Sequence, residues 1–196
     1  MSSNLLRKFK ESNLSSKSLR KDKQAFIEIY SLYVDDIYRF IYFKVGHREE
    51  AQDIASDVFL KAWDYIVLNK INKSKNLKAL FYKIARNSVI DYYRSKRDTS
   101  PLESLENTDL KDIKQDPQAL TEIKHDYERI LKLLNKLKEE YKEVIVLKHI
   151  NELSWDEISQ ALGKSKGSLR VLLHRATKAL EEEDRKDMEA KNTDNE

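Results

Sequence analysis

One short stretch of the chain gathers eight side chains suited to holding a nucleic acid: Lys164, Ser165, Lys166, Ser168, Arg170, His174, Arg175 and Lys178. No acid interrupts the run from Gly163 to Leu180. Ammonium and guanidinium groups neutralise phosphates, and guanidinium and hydroxyl groups also reach base edges. Lys164, Lys166, Ser168 and Arg170 come first and are candidates for base edges and nearby phosphates. His174, Arg175 and Lys178 lie further along and suit phosphate contacts.

A second basic set has a different character. From Asn69 to Arg97 the bases Lys70, Lys73, Lys75, Lys78, Lys83, Arg86, Arg94, Lys96 and Arg97 face a single acid, Asp91. Amides and aromatics are interleaved with them: Asn72, Asn76, Phe81, Tyr82, Asn87, Tyr92 and Tyr93. Duplex binding needs no stacking platform, whereas unpaired bases are held by aromatic faces over a cationic groove. Phe81 reads as core, and Tyr82 and Tyr92 are divided between core and surface.

A third group is acidic. Glu49, Glu50, Asp53 and Asp57 fall at helical steps on roughly one side. Paired carboxylates suit a metal nuclease, but no histidine accompanies them, no second acidic cluster converges and no glycine-rich phosphate loop exists. A protein-binding or plainly solvated face is expected. His47, His125, His149 and His174 are far apart and cysteine is absent, so neither a metal site nor another cofactor site is expected.

These groups need rigid carriers, and the chain offers helices. Phe26, Ile29, Tyr30, Tyr33, Ile37, Phe40 and Ile41 recur at three- and four-residue steps, one face of a helix that Gly46 ends. A second helix from Arg48 carries Ala51, Ile54, Ala55, Val58, Phe59, Ala62 and Trp63 inward. Asn69–Asn76 is an aperiodic polar loop. A third helix, Leu77 to Arg94, buries Leu80, Phe81, Ile84, Ala85 and Val89. Asp98 to Gln115 is a Ser/Thr/Asn/Asp-containing linker able to span roughly 60 Å when extended.

Asp116-Pro117 then opens a helix as N-cap and first-turn proline, with Ile123, Tyr127, Ile130, Leu134 and Leu137 inward. Glu139–Ile150 forms another, with Tyr141, Val144, Ile145 and Leu147 inward, and Asn151-Glu152 breaks it. Ser154-Trp-Asp-Glu157 is a capping box for a helix ending at Leu162. Gly163 supplies a left-handed turn residue, and Ser159 lies where the two helices cross tightly. Ser165 caps the last helix, whose Leu169, Leu172, Leu173, Ala176 and Leu180 face inward. Helix, glycine turn and basic helix make a helix-turn-helix, which lays its second helix in the major groove.

The expected fold is all-α: two small helical domains, 23–97 and 117–181, joined by a flexible acidic linker, 98–116. A basic N-terminus, 1–22, and an acidic tail, 182–196, flank them. Three glycines and two prolines in 196 residues leave few helix breaks, and 36% charged residues favour small cores. No apolar run reaches membrane-span length, and no apolar block follows the basic N-terminus. No membrane insertion and a cytoplasmic location are therefore expected.

The runs AQDIASDVFLKAWDYI, ALFYKIARNSVIDYYR and EEYKEVIVLKHINELSWDEISQALGKSKGSLRVLLHRATKAL closely resemble the extracytoplasmic-function sigma factors of bacterial RNA polymerase. The resemblance spans about Phe26 to Leu180. It implies that the first domain is sigma region two and docks on the clamp helices of the largest subunit of core RNA polymerase through Asp53, Ser56 and Asp57. Asn72, Lys75, Asn76, Lys83, Arg86 and Asn87 would capture the melted −10 strand. The second domain would be sigma region four. It would read −35 promoter DNA through its helix-turn-helix and meet the polymerase flap on another side, while the linker threads toward the active-site and RNA-exit channels.

Five positions depart from the family pattern. Ser56 stands in place of a usual glutamine, Leu80 in place of a common tryptophan, Asn151-Glu152 in place of a glycine-containing turn, and Val171 in place of a frequent serine. Ser56 bears on one polymerase contact and Val171 on promoter choice. An anti-sigma factor is a further partner by family analogy alone. The resulting expectation is a non-catalytic, dissociable promoter-recognition subunit. The competing expectation, a polymerase-independent helix-turn-helix regulator, leaves the aromatic-basic segment without a task.

Overall fold

The computed structural model of the chain describes residues 22–68, 76–99 and 129–193. Residues 1–21, most of the loop at 69–76, most of the linker, the cap at Asp116-Pro117, Ile123 and Tyr127 lie outside them. All regular elements among the described residues are helical. The chain divides into two units, Met1–Asn107 and Thr108–Glu196.

The first unit packs three helices, each against the other two: α1 (Lys23–Val45), α2 (Arg48–Val67) and α3 (Leu77–Thr99). The Asp22 carboxylate accepts from the Ala25 amide at 3.2 Å and caps α1. Gly46, at φ 80°, closes its far end onto the Tyr42 carbonyl. Glu49 and Glu50 place negative charge in the first turn of α2, where the helix dipole favours it. Ile29, Ile37, Phe40 and Ile41 of α1 and Ala51, Ala55, Val58 and Ala62 of α2 are buried in this core, to which α3 contributes Phe81, Tyr82, Ala85 and Val89. The Phe81 ring lies 5.0 Å from Phe59 and 5.5 Å from Tyr33, centroid to centroid. The alanines on α2 leave room for these rings.

Three expectations for this unit are corrected. Tyr30 is 40% exposed, its ring resting edge-on against Phe59. Leu80 is half-buried, because α3 turns Ala79 and Phe81 inward instead. And α3 continues past Arg94 to Thr99, since no helix breaker precedes Pro101 and Tyr92, Tyr93 and Lys96 all find partners on α1 or α2.

The second unit contains α4 (129–135), α5 (Glu139–Ile145) with a wider π turn (Val146–Ile150), α6 (Trp155–Leu162) and α7 (Lys166–Thr193). On α4, Leu131, Leu133 and Leu134 are buried while Ile130 is 43% exposed, against expectation. Adjacent apolar pairs permit two registers, and packing selects one. The helix expected to run regularly to Ile150 instead ends in the π turn. The Asn151 amide reaches back to the Val146 carbonyl at 2.9 Å, and the Leu153 amide to Leu147 at 2.9 Å. Glu152 then takes φ 52°, a left-handed conformation that disfavours a Cβ.

The acidic stretch expected as a tail is helical, continuing α7 without a break to Thr193. Asp184 pairs with Arg129 at 2.5 Å and Asp187 with Lys136, so the end of α7 is tied back to the α4 segment.

Candidate nucleic-acid interface

The turn between α6 and α7 is built from local contacts. The Ser154 hydroxyl accepts from the Glu157 amide at 3.3 Å, and the Glu157 carboxylate accepts from the Ser154 amide at 2.7 Å, completing the capping box. Gly163 adopts φ 66°, ψ 24° and closes α6 on the Ser159 carbonyl. A Cβ at 163 would meet nothing within 4 Å, so backbone conformation rather than space selects glycine there. Ser159 is half-buried, and its hydroxyl donates to the Lys164 carbonyl at 2.7 Å. Its small side chain therefore fastens the turn by a hydrogen bond. Ser165 caps α7 by accepting from the Ser168 amide at 3.1 Å. Leu169 and Ala176, fully buried, anchor the inner face of α7, and Leu172, Leu173 and Leu180 are half-buried.

With that face fixed, the basic side chains separate into two groups. Lys164, Ser168, Val171, Leu172 and Arg175 line a shallow concavity of about 400 Å³ on the outward face. His174, Arg175 and Lys178 are exposed and hold no ion pair among the described residues. Lys166 and Arg170 lie on the flank facing α6: Lys166 Nζ is 2.5 Å from Asp156 Oδ1, and the Arg170 guanidinium sits 5.6 Å over the Trp155 ring. Lys148 Nζ approaches the same ring at 5.2 Å. Lys164 is held more loosely, 3.6 Å from Glu140. The Ser165 and Ser168 hydroxyls share a hydrogen bond at 2.8 Å.

In the first unit, Lys83 and Asn87 are exposed and Arg86 half-buried, three- and four-residue steps apart on α3. Asn76 serves as a cap, its side-chain oxygen accepting from the Lys78 amide at 2.9 Å. Asn72 and Lys75 lie outside the described residues. Ile90, 47% exposed, and the exposed Arg94 continue the Lys83–Asn87 face. Arg94 belongs to the basic set expected between Asn69 and Arg97, whereas Ile90, a step of three from Asn87, has no counterpart among the expected contacts.

Phe81 is core, as expected, and Tyr82 is core as well, so neither offers an open stacking face. The Tyr93 hydroxyl donates to the Lys44 carbonyl at 2.6 Å, and the Tyr92 hydroxyl donates to Glu50. Lys96 Nζ joins that pair, 3.1 Å from Glu50 Oε1 and 2.6 Å from the Tyr92 oxygen. Burial works against ionisation of Glu50, but the hydrogen bonds from Tyr92 and Lys96 outweigh it and hold its carboxyl below the usual range. The end of α3 is thus clasped to the start of α2. Glu50 turns inward from the acidic side on which it was grouped.

On α2, Asp53 and Ser56 are exposed and Asp57 half-buried, and Leu60, one step further along the same strip, is 66% exposed. Leu60 is a contact candidate that periodicity alone did not single out. The Ser56 hydroxyl donates to the Gln52 carbonyl at 2.9 Å. Lys61 Nζ bridges Asp57 Oδ2 at 2.6 Å and Ser88 Oγ at 3.1 Å, linking this strip to α3 next to Asn87. Among the described residues no three His, Cys, Asp or Glu side chains are grouped to hold a metal, and no helix is long and apolar enough to cross a membrane.

Comparison with known proteins gives matches to both units. Residues 29–99 match the family profile "Sigma-70 region 2" and residues 127–180 match "Sigma-70, region 4". The chain is 32% identical over 168 residues to the ECF RNA polymerase sigma factor SigW of Bacillus subtilis, covering 81% of this chain and 88% of that protein. It is 28% identical over 163 residues to the ECF RNA polymerase sigma factor BldN of Streptomyces coelicolor, covering 81% of this chain but spanning only 60% of that longer relative. In fold it is similar to CnrH, solved with the cytosolic domain of CnrY, at TM-score 0.67 and 19% identity over 88% of this chain and 95% of that one. It is also similar to the sigma factor RpoE of Bartonella quintana, solved with the anti-sigma factor NepR, at TM-score 0.60 and 22% identity over 82% and 96% of the two chains.

Proposed function

The chain belongs to the extracytoplasmic-function RNA polymerase sigma factors, a non-enzymatic family of initiation factors, and on that premise we propose that its two units divide the promoter between them. It directs promoter-specific transcription initiation as a dissociable subunit of RNA polymerase. Region four reads the −35 duplex with the outward face of α7, where Ser168 and Lys164 reach base edges and Arg175, His174 and Lys178 hold phosphates. Lys166 and Arg170 support that face from its flank. Region two holds the melted −10 strand on Lys83, Arg86, Asn87 and Asn76, joined by Asn72 and Lys75. Asp53, Ser56 and Asp57, extended by Leu60, dock on the clamp helices, and region four meets the flap. The cytoplasm is the compartment where these partners are present. A protein partner of the kind bound by the Bartonella relative, an anti-sigma factor, is proposed to occupy the free chain.

The observation that supports this most directly is the capped helix-turn-helix carrying exposed Arg175 and Lys178 at one end of a chain whose other unit bears a separate basic face. Run-off transcription with bacterial core polymerase on genomic templates tests it. A promoter-specific product that requires this protein is expected, and neither product nor core binding would overturn the reading. Arg175→Ala is expected to weaken −35 duplex binding and spare capture of single-stranded −10 DNA, and Arg86→Ala with Asn87→Ala to do the reverse. Equal loss of both activities in all variants would refute the division.

A further inference from the structure

At the centre of the outward face of α7 stands an apolar side chain. At about 100° per residue, Val171 is roughly opposite the buried Leu169 and Ala176, and it is 53% exposed. Its neighbours on the concavity are Lys164, Ser168, Leu172 and Arg175. A β-branched hydrophobe has no packing role there, because α7 is already anchored by its opposite face.

We propose that Val171, backed by Leu172, is a specificity-determining residue that receives the 5-methyl group of a thymine in the −35 duplex. The proposal rests on the assignment of this face to the major groove. Of the four bases only thymine presents a methyl group there, and a small apolar side chain is its natural contact. Val171 has neither donor nor acceptor, so it selects by burying that methyl and by leaving the exocyclic amino group of cytosine or adenine without a partner in its place. Ser168 and Arg175, three and four residues away on either side, supply the polar contacts that set the register of the helix on the duplex.

The test removes one methyl group from the DNA. Duplexes enriched from a random library by holoenzyme, assembled from the full chain and bacterial core polymerase, are resynthesised with each thymine of the −35 segment replaced in turn by deoxyuridine. At one or two positions the wild-type protein is expected to lose about fourfold in affinity, the value of one buried methyl group. Val171→Ser is expected to bind the thymine and deoxyuridine duplexes equally at those positions, and Val171→Ala to show an intermediate ratio. Circular dichroism of both variants is expected to match the wild type, since the site is exposed.

Deoxyuridine tolerated by the wild type at every position would overturn the proposal without any variant being needed. So would a Val171→Ser protein that keeps the wild-type ratio, or an enriched −35 segment that contains no thymine. In each of these cases duplex reading by α7 would still stand. Failure to enrich any duplex would instead overturn the sigma-factor reading itself, and this inference with it.

Discussion

Lys166 Nζ lies 2.5 Å from Asp156 Oδ1, joining the first turn of the last helix to the first turn of the helix before it. One of the ammonium groups that the sequence offers to DNA is therefore already engaged by a carboxylate of the same unit. Both side chains are well exposed, 46% and 69%, so the pair is weak and a phosphate competes with it on nearly equal terms. Asp156→Asn is expected to raise affinity for non-specific duplex about threefold and to steepen the slope of log affinity against log salt by about 0.9, the contribution of one newly available phosphate contact. Titrations at several salt concentrations measure both, with Glu182→Gln, an equal charge change on an exposed residue far along α7, as the control. An unchanged slope would show that Lys166 gains no phosphate contact when Asp156 is neutralised.

The capping box makes a stability prediction. Ser154→Ala and Glu157→Ala each remove one half of a reciprocal pair at the start of α6 and are expected to lower local stability by about 1 kcal/mol. Because the two halves share one geometry, the double variant is expected to lose less than the sum. Hydrogen exchange of peptides from 153–180 in the full chain reads the change where it occurs. Full additivity would argue that the two bonds act independently.

Glu152 makes the opposite prediction. Its φ of 52° strains a residue with a Cβ, and glycine adopts that conformation freely. Glu152→Gly is expected to stabilise the π-turn junction by about 0.5–1 kcal/mol, less whatever backbone freedom glycine adds to the unfolded chain. Slower exchange of the Leu153 amide, which is bonded to Leu147, is the readout, and faster exchange would contradict it.

The clasp of Glu50, Tyr92 and Lys96 predicts a pH profile. The Glu50 carboxyl lies below its ordinary 4.5, because the hydrogen bonds outweigh the opposing effect of burial. Its stabilisation is therefore present above that value and is lost as pH falls through the depressed folded value. The Tyr92 phenol is raised above 10.0 by burial and by its bond to Glu50, and Lys96 is raised above 10.5 by its bond to Tyr92. Their contribution is complete below those values and is lost as pH rises through the raised ones. Tyr92→Phe is expected to cost about 0.5–1 kcal/mol at neutral pH, a hydrogen-bond loss discounted for solvent screening. The difference from wild type should narrow below 4.5 and again above 10.0. Urea unfolding followed by Trp63 fluorescence in a Trp155→Phe background measures it, and a flat difference across that range would sink the assignment.

Much of the architecture is legible in the residues. The helical period, Gly46, the Ser154–Glu157 box, Gly163 and the Ser165 cap depend on contacts three to five residues apart, and the residue types that make such contacts are few. The basic face of the last helix follows from the same period once Leu169 and Ala176 are recognised as its inner side, and the order of the three resembling runs carries the family. Contacts between distant residues were decided by the tertiary structure. Glu50 and Tyr92 are 42 residues apart and Arg129 and Asp184 are 55 apart, and no local pattern pairs them. The depth at which α3 packs buries Tyr82 and ties down Tyr92 and Tyr93, removing the stacking platform that composition suggested. The angle between α6 and α7 turns Lys166 and Arg170 toward Asp156 and Trp155 and leaves Val171 and Arg175 facing outward. A sequence period specifies which side of a helix is apolar. It does not specify the crossing angle or the neighbours at its margins, and those determine which of its charges remain available to a partner.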